Sequence, residues 1–313
     1  MISEKRVVVA GGLGFIGSHL VSRLLRQDND VVVIDNGITS GGRTLDRHSR
    51  LEIADADVTM PLWIEGHVDY VVNLASPASP EDYTALPLET LRAGAIGTEE
   101  TLKLAARHEA GYLLASTSEV YGDPLVTPQN EGYWGNVDPI GPRSMYDEAK
   151  RFAEAMTVAY SRSKGVRVSI ARIFNTYGPG MRSTDGRVVP TFLSQATRGL
   201  PLTIHGDGSH TRCYTYVTDT VEGLLRVLEH GTTGPFNLGA TEEVSVLELA
   251  RLTIDISGST SSIVHRAGRP GDPRTRKPDI RVAQEELGWN PLISLSEGIK
   301  LTLDSGLGIA AVD

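Results

Sequence analysis

Tyr146 and Lys150 lie four positions apart in the stretch SMYDEAK, residues 144–150. On a helix, this spacing places both side chains on one face. A free tyrosine has a pKa of about 10, and a neighbouring ammonium group favours the phenolate and lowers that pKa. The pair therefore predicts a phenol that takes a proton from a substrate hydroxyl. Taken alone, however, the pair is more typical of an ordinary surface helix.

A second pattern with chemical meaning is the glycine-rich stretch GGLGFIG, which lies between a short β-branched run and an amphipathic stretch. Glycine is needed where a turn is tight and where the backbone must approach a phosphate closely. The first turn of the following helix offers free N–H groups and the positive end of its dipole to a pyrophosphate. We therefore predict that a dinucleotide binds through the loop residues Gly11, Gly14, Phe15, Ile16 and Gly17.

Asp35 ends the second predicted strand, 18 residues beyond Gly17. A carboxylate at this distance grips the ribose diol of a dinucleotide and repels a 2′-phosphate, so NAD is favoured over NADP. Asn36 follows it, and Asp57 with Val58 comes after the third predicted strand, where contact with the adenine is expected. An ordinary loop acid fits the position of Asp57 equally well. The strand before the loop, the helix after it and the acid at Asp35 count against a turn that binds nothing.

Thr117, Ser118 and Glu119 follow the apolar run YLLAS. Ligands bind at the carboxyl ends of the strands in open α/β sheets, so two hydroxyls and a carboxylate are predicted to face a substrate there. A Glu119 pKa raised by burial would suit acid–base catalysis. Residues that merely cap the end of a strand are an equally good interpretation of this triplet.

These residues need a framework that brings their loops together, and the hydropathy pattern predicts one. Short apolar runs alternate with longer amphipathic stretches through the first half of the chain. Continuous apolar strands separated by helices indicate a parallel sheet covered on both faces, a Rossmann-type doubly wound α/β layer. The predicted strands include 6–10, 31–35, 70–75, 112–117 and 166–175, and the predicted helices include 19–27, 90–108 and 144–165.

Two units are predicted because the alternation loosens after Asn175. Within 215–230 a strand gives way to a helix, and Asp219 is expected to be its N-cap. Structural roles are expected for Asp219 and for Trp289. The NAD-binding domain is predicted to comprise residues 1–172 and 212–240, and a smaller α/β substrate domain to comprise 173–211 and 241–313.

Composition narrows the classes of function. The 313 residues carry a formal net charge of −9, which argues against general attraction to nucleic acid or to an anionic membrane. The single cysteine, Cys213, excludes an intrachain disulfide and a cysteine-built zinc site. The eight histidines show no metal-ligand spacing, so no metal is expected. No apolar stretch approaches the ~20 residues that span a bilayer, and a cytoplasmic protein is expected.

Longer motifs around these residues resemble a known group of enzymes. The glycine loop, Tyr146 and Lys150 have the order and separation typical of the short-chain dehydrogenase/reductase superfamily. Within its extended branch, the chain resembles the UDP-glucuronate decarboxylases, which form UDP-xylose. The likeness runs from the glycine loop to LGWNP at 287–291. The motifs that carry it are TSEVYGDP, YWGNVDPIGPRSMYDEAKR, ARIFNTYGPGM, DGRVV and RKPDI.

The resemblance implies NAD-dependent decarboxylation of UDP-glucuronate to UDP-xylose, in an internal redox cycle that does not consume NAD. Tyr146 takes the C4 hydroxyl proton while hydride moves from C4 to NAD, and the resulting β-keto acid loses CO2. Tyr146 and Thr117 stabilise the enolate, C5 is protonated, and hydride returns to C4. Ser118, Glu119 and Arg276 are implied to handle the substrate carboxylate and C5, and the route of the proton among them stays open.

The resemblance also implies further contacts. Lys150 is expected to hydrogen-bond the nicotinamide ribose. Extended members of the superfamily commonly dimerise through two helices per subunit, here 90–108 and 144–165, so a homodimer is expected. Surface solvation is the alternative for Arg182 and Arg212. The remaining implied residues are Leu74 and Ala75 for NAD, and Tyr83, Asn175, Arg182 and Arg212 for the UDP-sugar.

Three rival functions and one departure from the family pattern stay open. A nucleotide-sugar 4,6-dehydratase uses an Asp-Glu pair where this chain has Ser118-Glu119, so dehydration lacks its proton donor. A UDP-glucuronate 4-epimerase must rotate the keto acid without losing CO2, which the sequence does not forbid. A non-catalytic NAD-binding regulatory protein is expected to have lost Tyr146, Lys150 or Glu119.

Gly94 stands where the family usually has asparagine, which puts the fine geometry beside the active-site helix in doubt.

Overall fold

A seven-stranded parallel sheet forms the centre of the protein. The computed structural model describes residues 2–268 and 275–306. The sheet has the strand order β11-β6-β5-β4-β1-β2-β3, and its pairings are parallel. The strands are β1 (Arg6–Ala10), β2 (Asp30–Asp35), β3 (Leu51–Asp55), β4 (Tyr70–Asn73), β5 (Gly111–Thr117), β6 (Val168–Ile173), β7 (Thr176–Tyr177), β8 (Leu202–His205), β9 (Thr211–Arg212), β10 (Thr215–Tyr216), β11 (Phe236–Leu238), β12 (Val244–Ser245), β13 (Ile263–Arg266) and β14 (Thr275–Arg276).

Helices cover both faces of this sheet, which confirms the predicted Rossmann-type doubly wound fold. Leu24 of α1 and Leu224 of α7 are buried in the core on one face, and Leu102 of α4 and Ala153 of α5 are buried on the other. The helices are α1 (Phe15–Leu25), α2 (Pro80–Ala85), α3 (Pro87–Arg92), α4 (Thr98–Arg107), α5 (Ser144–Lys164), α6 (Val188–Thr197), α7 (Val217–His230), α8 (Val246–Ser257), α9 (Arg281–Leu287) and α10 (Leu295–Asp304).

A separate apolar core lies under α6, α8 and α10. Phe192, Leu249 and Ile299 are fully buried there. The two-stranded sheet β13-β8 and the three-stranded sheet β12-β9-β14 flank these helices. Between the two parts of this core along the chain, β11 returns to the large sheet and pairs with β6. The exact division into two domains stays a prediction.

Two predicted helices begin earlier than expected. α1 begins at Phe15, directly after the glycine loop, rather than at residue 19. The predicted helix 90–108 begins at Pro87, where proline occupies the first turn. It then passes through a π turn at Ala93–Gly97 before continuing as α4.

Asp219 is not the N-cap of α7, so that prediction is wrong. Tyr216 precedes the helix, and Asp219 lies in its first turn. The Asp219 carboxylate instead accepts the backbone N–H groups of Leu292 and Ile293, at 3.0 and 2.9 Å. Trp289 donates its indole N–H to the Asp219 carbonyl at 3.0 Å. Both side chains therefore tie the segment before α10 to α7.

The helices carry charge on the sides that face solvent. α5 is 21 residues long and bears the half-buried pair Arg151–Glu148, whose charged atoms are 3.6 Å apart. Among the residues that the structure describes, no helix combines the length and the apolar character that crossing a membrane requires.

Candidate active site

A cleft of about 790 Å³ opens at the carboxyl ends of the large sheet's strands. The core between the sheet and α1 with α7 borders it on one side, and the core under α6, α8 and α10 borders it on the other. Residues far apart in sequence therefore meet along its walls. Predicted site residues that line it are Gly11, Gly14, Phe15, Ile16, Gly17, Leu74, Tyr83, Thr117, Ser118, Glu119, Tyr146, Lys150, Asn175, Arg182, Arg212 and Arg276. The cleft is therefore one continuous site that runs from the glycine loop to the arginines.

The glycine loop has the shape that a pyrophosphate requires. Gly14 precedes α1, and no side chain in the described part of the chain caps this N-terminus. A Cβ at Gly17 would lie 2.1 Å from the Gly11 carbonyl oxygen, and Gly11 itself has a φ of +80°. Only glycine allows this close approach of loop and helix. The free N–H groups of the first turn fit the diphosphate of NAD.

The predicted ribose and adenine residues gather at the ends of β2 and β3. Asp35 accepts the N–H groups of Leu13 and Gly37, at 2.9 and 2.8 Å. Asn36 donates to the Asp57 carboxylate at 3.3 Å. Val58, which follows β3, is buried against Gly97, and Ala75, which follows β4, donates its N–H to Asn73 at 3.1 Å. Asp35 is thus held by the glycine loop with its charge available to a ribose.

Tyr146 and Lys150 lie on the buried face of α5, as their spacing predicts. The Lys150 amine donates to the Ala115 carbonyl at 2.9 Å and lies 5.9 Å from the centre of the Tyr146 ring. Thr117, at the end of β5, hydrogen-bonds the phenol. Tyr83 stacks on Tyr146 with ring centres 5.2 Å apart. The phenol is therefore fixed from two sides at the floor of the cleft.

The expected lowering of the Tyr146 pKa, which relied on Lys150 and on a positively charged nicotinamide together, does not occur in the protein by itself. Burial raises the pKa of the Tyr146 phenol to about 12, although the charge of Arg187 and the hydrogen bond from Thr117 oppose this. Burial also lowers the pKa of Lys150 to about 8, which weakens the lysine as a source of positive charge. The phenol therefore needs a further positive charge beside it before it can act as a base.

Glu119 sits between two arginines that come from distant parts of the chain. Arg143 and Arg276 each place a guanidinium nitrogen on the same Glu119 oxygen, at 2.6 and 2.9 Å. Arg276 is 1% exposed and also donates to the Ser118 carbonyl at 2.7 Å. We call these three charged residues, Glu119, Arg143 and Arg276, the charged cluster. The sequence interpretation missed Arg143, although it stands three residues before Tyr146 in the motif GPRSMY.

The charged cluster decides the protonation of Glu119, which the sequence left open. Burial pushes the pKa of Glu119 up, but the charges of Arg276, Arg143 and Arg212 outweigh it and hold the pKa below its ordinary value. The glutamate is therefore ionised at neutral pH and is not the acid that burial alone would make. Asp147, which the sequence interpretation also missed, behaves in the opposite way. Burial and then the charge of Glu119 raise the pKa of Asp147 to about 7.

The other predicted substrate residues meet the cleft in different ways. Asn175 donates to the Cys213 carbonyl at 3.5 Å. Arg212 bonds the Thr211 carbonyl at 2.8 Å and adds its charge to the field at Glu119. The Arg182 guanidinium is paired with the Asp82 carboxylate of α2. Arg182 therefore joins the two walls of the cleft in this structure.

Gly94 packs directly against the active-site helix. A Cβ at this position would lie 2.6 Å from the Ala149 Cβ and 2.8 Å from the Ala149 carbonyl oxygen. Ala149 lies between Tyr146 and Lys150 in α5, so the π turn at Ala93–Gly97 touches the helix at its catalytic turn. The missing asparagine is thus replaced by a close backbone contact.

Comparison with known proteins agrees with this geometry. Residues 7–239 match the family model described as the NAD dependent epimerase/dehydratase family. The chain belongs to this family. Members of the NAD dependent epimerase/dehydratase family that resemble it include UDP-glucuronic acid decarboxylase 6 of Arabidopsis thaliana, which is 49% identical over 96% of this chain and 88% of its own length. UDP-glucuronic acid decarboxylase 1 of Danio rerio is 48% identical over 96% of this chain and 72% of its own length.

Solved structures extend the family likeness to the whole fold. UDP-glucose 4-epimerase of Thermotoga maritima, with UDP-glucose, has a TM-score of 0.87 at 28% identity and covers 96% of this chain and 98% of its own. A variant of UDP-glucuronic acid 4-epimerase of Bacillus cereus, with NAD and a fluorinated UDP-glucuronic acid, has a TM-score of 0.83 at 26% identity and covers 96% of this chain and 98% of its own. The family match confirms the predicted NAD dependence and the resemblance inferred from the sequence motifs.

Proposed function

We propose that the protein converts UDP-glucuronate to UDP-xylose and CO2, with NAD as a cofactor that is regenerated in each cycle. The observation that carries this proposal is the charged cluster, which stands next to Tyr146 in the same cleft. The relatives of the chain that carry the decarboxylase name support the choice of substrate and reaction. The proposal includes the division into an NAD-binding domain, 1–172 with 212–240, and a substrate domain, 173–211 with 241–313.

The charge of the cleft suits an anionic sugar nucleotide. The whole chain has a net charge of −9, yet Arg143, Arg212 and Arg276 surround the single ionised Glu119. These arginines are proposed to attract the uronate carboxylate, because guanidinium forks match carboxylate and phosphate oxygens. Asn175 and Arg182 are proposed at the diphosphate, which requires Arg182 to exchange its bond to Asp82 for one to a phosphate.

Different residues of the chain are proposed to act in the successive steps of the reaction. NAD, when bound, adds a positive ring that favours the Tyr146 phenolate and accepts and returns the C4 hydrogen as hydride. Tyr146 takes the C4 hydroxyl proton. The C5–carboxylate bond breaks, and its electron pair moves into the C4 carbonyl, where the Tyr146 hydroxyl and Thr117 stabilise the oxyanion. C5 then accepts a proton, so each turnover consumes one proton from solvent.

The most serious alternative is a UDP-glucuronate 4-epimerase. A structure that carries this name shares the fold and 26% of the sequence, and it also must oxidise C4. Ion pairing of Glu119 with two arginines favours decarboxylation because it fixes charged groups where the carboxylate leaves. A 4,6-dehydratase is disfavoured because Ser118 supplies no acidic proton beside Glu119.

Product analysis separates these functions. The purified protein is incubated with UDP-glucuronate and catalytic NAD, and the sugar nucleotides are followed by proton NMR. UDP-xylose with an equal amount of CO2 is the expected result. UDP-galacturonate without CO2 would make the protein an epimerase, and a protein that binds NAD but converts no nucleotide sugar would be the non-catalytic alternative.

A homodimer is part of the proposal. Leu88, Leu91, Ile96 and Phe152 expose 60%, 40%, 44% and 47% of their surface, and they lie on α3, the π turn and α5, which pack together. Such a patch favours pairing with a second copy through the two predicted helices. Light scattering should give twice the chain mass, and Phe152→Glu should give a monomer. The exposed Leu292→Glu is the control and should leave the mass unchanged.

The cytoplasmic location is also proposed, since the single cysteine of the chain fits a reducing compartment. Fractionation of cells that produce the protein tests it. Recovery in the cytosolic fraction is expected, and recovery in a membrane or secreted fraction would contradict it.

A further inference from the structure

Gln129 is a fully buried amide outside the cleft. It is 0% exposed and lies in the loop 122–143, between the turn that carries Glu119 and the residue Arg143. Its side-chain oxygen accepts the Lys277 N–H at 2.9 Å. Its side-chain nitrogen donates to the Val126 carbonyl at 2.7 Å. The amide is therefore satisfied on both sides and fixed in orientation.

The backbone of Gln129 also hydrogen-bonds the segment that contains Lys277. Its N–H donates to the Lys277 carbonyl at 2.8 Å, and its carbonyl accepts the Asp279 N–H at 2.8 Å. Asn237 of β11 donates to the same Gln129 carbonyl at 3.0 Å. With the bond to the Lys277 N–H, three hydrogen bonds join one buried residue to the segment 277–279.

This segment begins directly after Arg276, whose guanidinium reaches Ser118 and Glu119. The strand β14 that holds Arg276 has only two residues, Thr275–Arg276. Gln129 therefore anchors the carboxyl side of a very short strand. We propose that Gln129 is a positioning residue, whose amide sets the Arg276 guanidinium against Glu119. Its effect on turnover rests on the proposed function, whereas its effect on Glu119 does not.

Loss of the amide should act through Arg276. Without the side-chain oxygen, the Lys277 N–H is left unpaired and the segment can shift, and displacement of a reacting or orienting group by 1 Å costs up to ~100-fold in rate. An Arg276 that moves away also gives up part of the charge that keeps Glu119 ionised. The titration of Glu119 should then move to higher pH. The other groups whose charges act on this region are Arg143, Arg212, Asp147, Tyr146 and Tyr83.

The test compares Gln129→Met with Asn29→Leu. Asn29 is also 0% exposed and also pins backbone, through the Lys5 N–H at 3.0 Å and the Leu24 carbonyl at 2.9 Å, but it lies at the amino end of β2, away from the cleft. Both variants lose a buried amide. Gln129→Met should lower kcat about 10- to 100-fold and move the acid limb of the pH profile to higher pH. Asn29→Leu should lose stability with an unchanged pH profile.

A second readout needs no turnover. Glutamate labelled with 13C in its carboxyl group, with Glu119 assigned through Glu119→Gln, reports the Glu119 titration in the NAD-loaded protein. A Glu119 titration at higher pH in Gln129→Met than in wild type is expected. If Gln129→Met does not fold, Gln129→Asn, which is one methylene too short to reach Lys277, decides by the same criterion. An unshifted Glu119 titration would overturn the proposal. A wild-type protein without CO2 release would overturn only the proposed function.

Discussion

Tyr146 and Glu119 are two buried acids in one cleft, and the protein moves their pKa values in opposite directions. At Tyr146 burial wins, and the pKa of the phenol rises to about 12. At Glu119 burial has the same sign, yet Arg276, Arg143 and Arg212 outweigh it and the pKa of the carboxyl falls. The difference shows that burial alone does not determine the direction of a pKa shift. The number of cations close to the acid determines it here.

The comparison also assigns a division of labour. Around Glu119 the arginines are charged before any ligand arrives, so this end of the cleft suits the binding of a substrate carboxylate. The Tyr146 end is neutral until a positive cofactor is present, so proton removal at C4 is coupled to NAD. Each end is held by different contacts, and each can therefore be altered separately.

The largest effect is expected at the Tyr146 end. Tyr146→Phe removes the proton acceptor and should lower kcat by about 10²- to 10⁴-fold, measured as CO2 release. NAD binding should persist, because the glycine loop is untouched. Tyr160→Phe, on the same helix with its hydroxyl 3.4 Å from Glu99, is the control. Equal losses in both variants would show that the phenol of Tyr146 has no special role.

The next largest effect is expected when an arginine beside Glu119 is replaced. Arg276→Met leaves a buried carboxylate with one direct arginine partner fewer, and kcat should fall by about 10²- to 10³-fold, as for loss of one preorganised donor. The acid limb of the pH profile should move to higher pH, because the pKa of Glu119 rises. Arg281→Met removes an exposed arginine that pairs with Asp279 at 2.6 Å. It serves as the control, and a similar loss there would contradict the account.

A smaller effect is expected where Gly94 meets the catalytic turn. Gly94→Asn forces a side chain into Ala149 and should lower the free energy of unfolding by about 1–3 kcal/mol, measured by urea denaturation. It should also lower kcat, because α5 must shift. Gly268→Asn is the matched change at an exposed site with open space and no positive φ, and it should be nearly neutral. A stable and fully active Gly94→Asn would show that the close contact is not required.

The smallest effect concerns Asp147 beside the charged cluster. Its pKa is raised to about 7 in the folded protein, above its value of about 3.9 in an unfolded chain. The folded state therefore binds the proton more tightly, and stability is lost as pH rises through this window and stays lower above it. Asp147→Asn should remove this penalty and be more stable than wild type at pH 8 by about 1–2 kcal/mol, with no such gain at pH 4. Equal gains at both pH values would contradict it.

The cofactor end of the cleft was predictable from the sequence because its parts are local. Gly11 to Gly17 and Asp35 belong to one strand–loop–helix–strand unit, and its pattern alone determines where they meet. The Tyr146–Lys150 pair was predictable for the same reason, since one helix carries both residues.

The charged cluster was only partly predictable. Glu119 and Arg276 were reached through the resemblance, but Arg143 and Asp147 were missed because 119, 143 and 276 meet only after three segments have folded together. The raised pKa of Tyr146 in the protein by itself was also missed, and the sign of the Glu119 shift had stayed open. They follow from a balance of burial and charge that a sequence does not contain.

The central claim is that C4 is oxidised and reduced within one active site while C5 exchanges its carboxylate for a proton. It is tested most directly by running the reaction with UDP-glucuronate in D2O and locating deuterium in the product by NMR. The account predicts UDP-xylose with one deuterium at C5 and none at C4. Deuterium at C4, or a product that keeps its carboxylate, would contradict it.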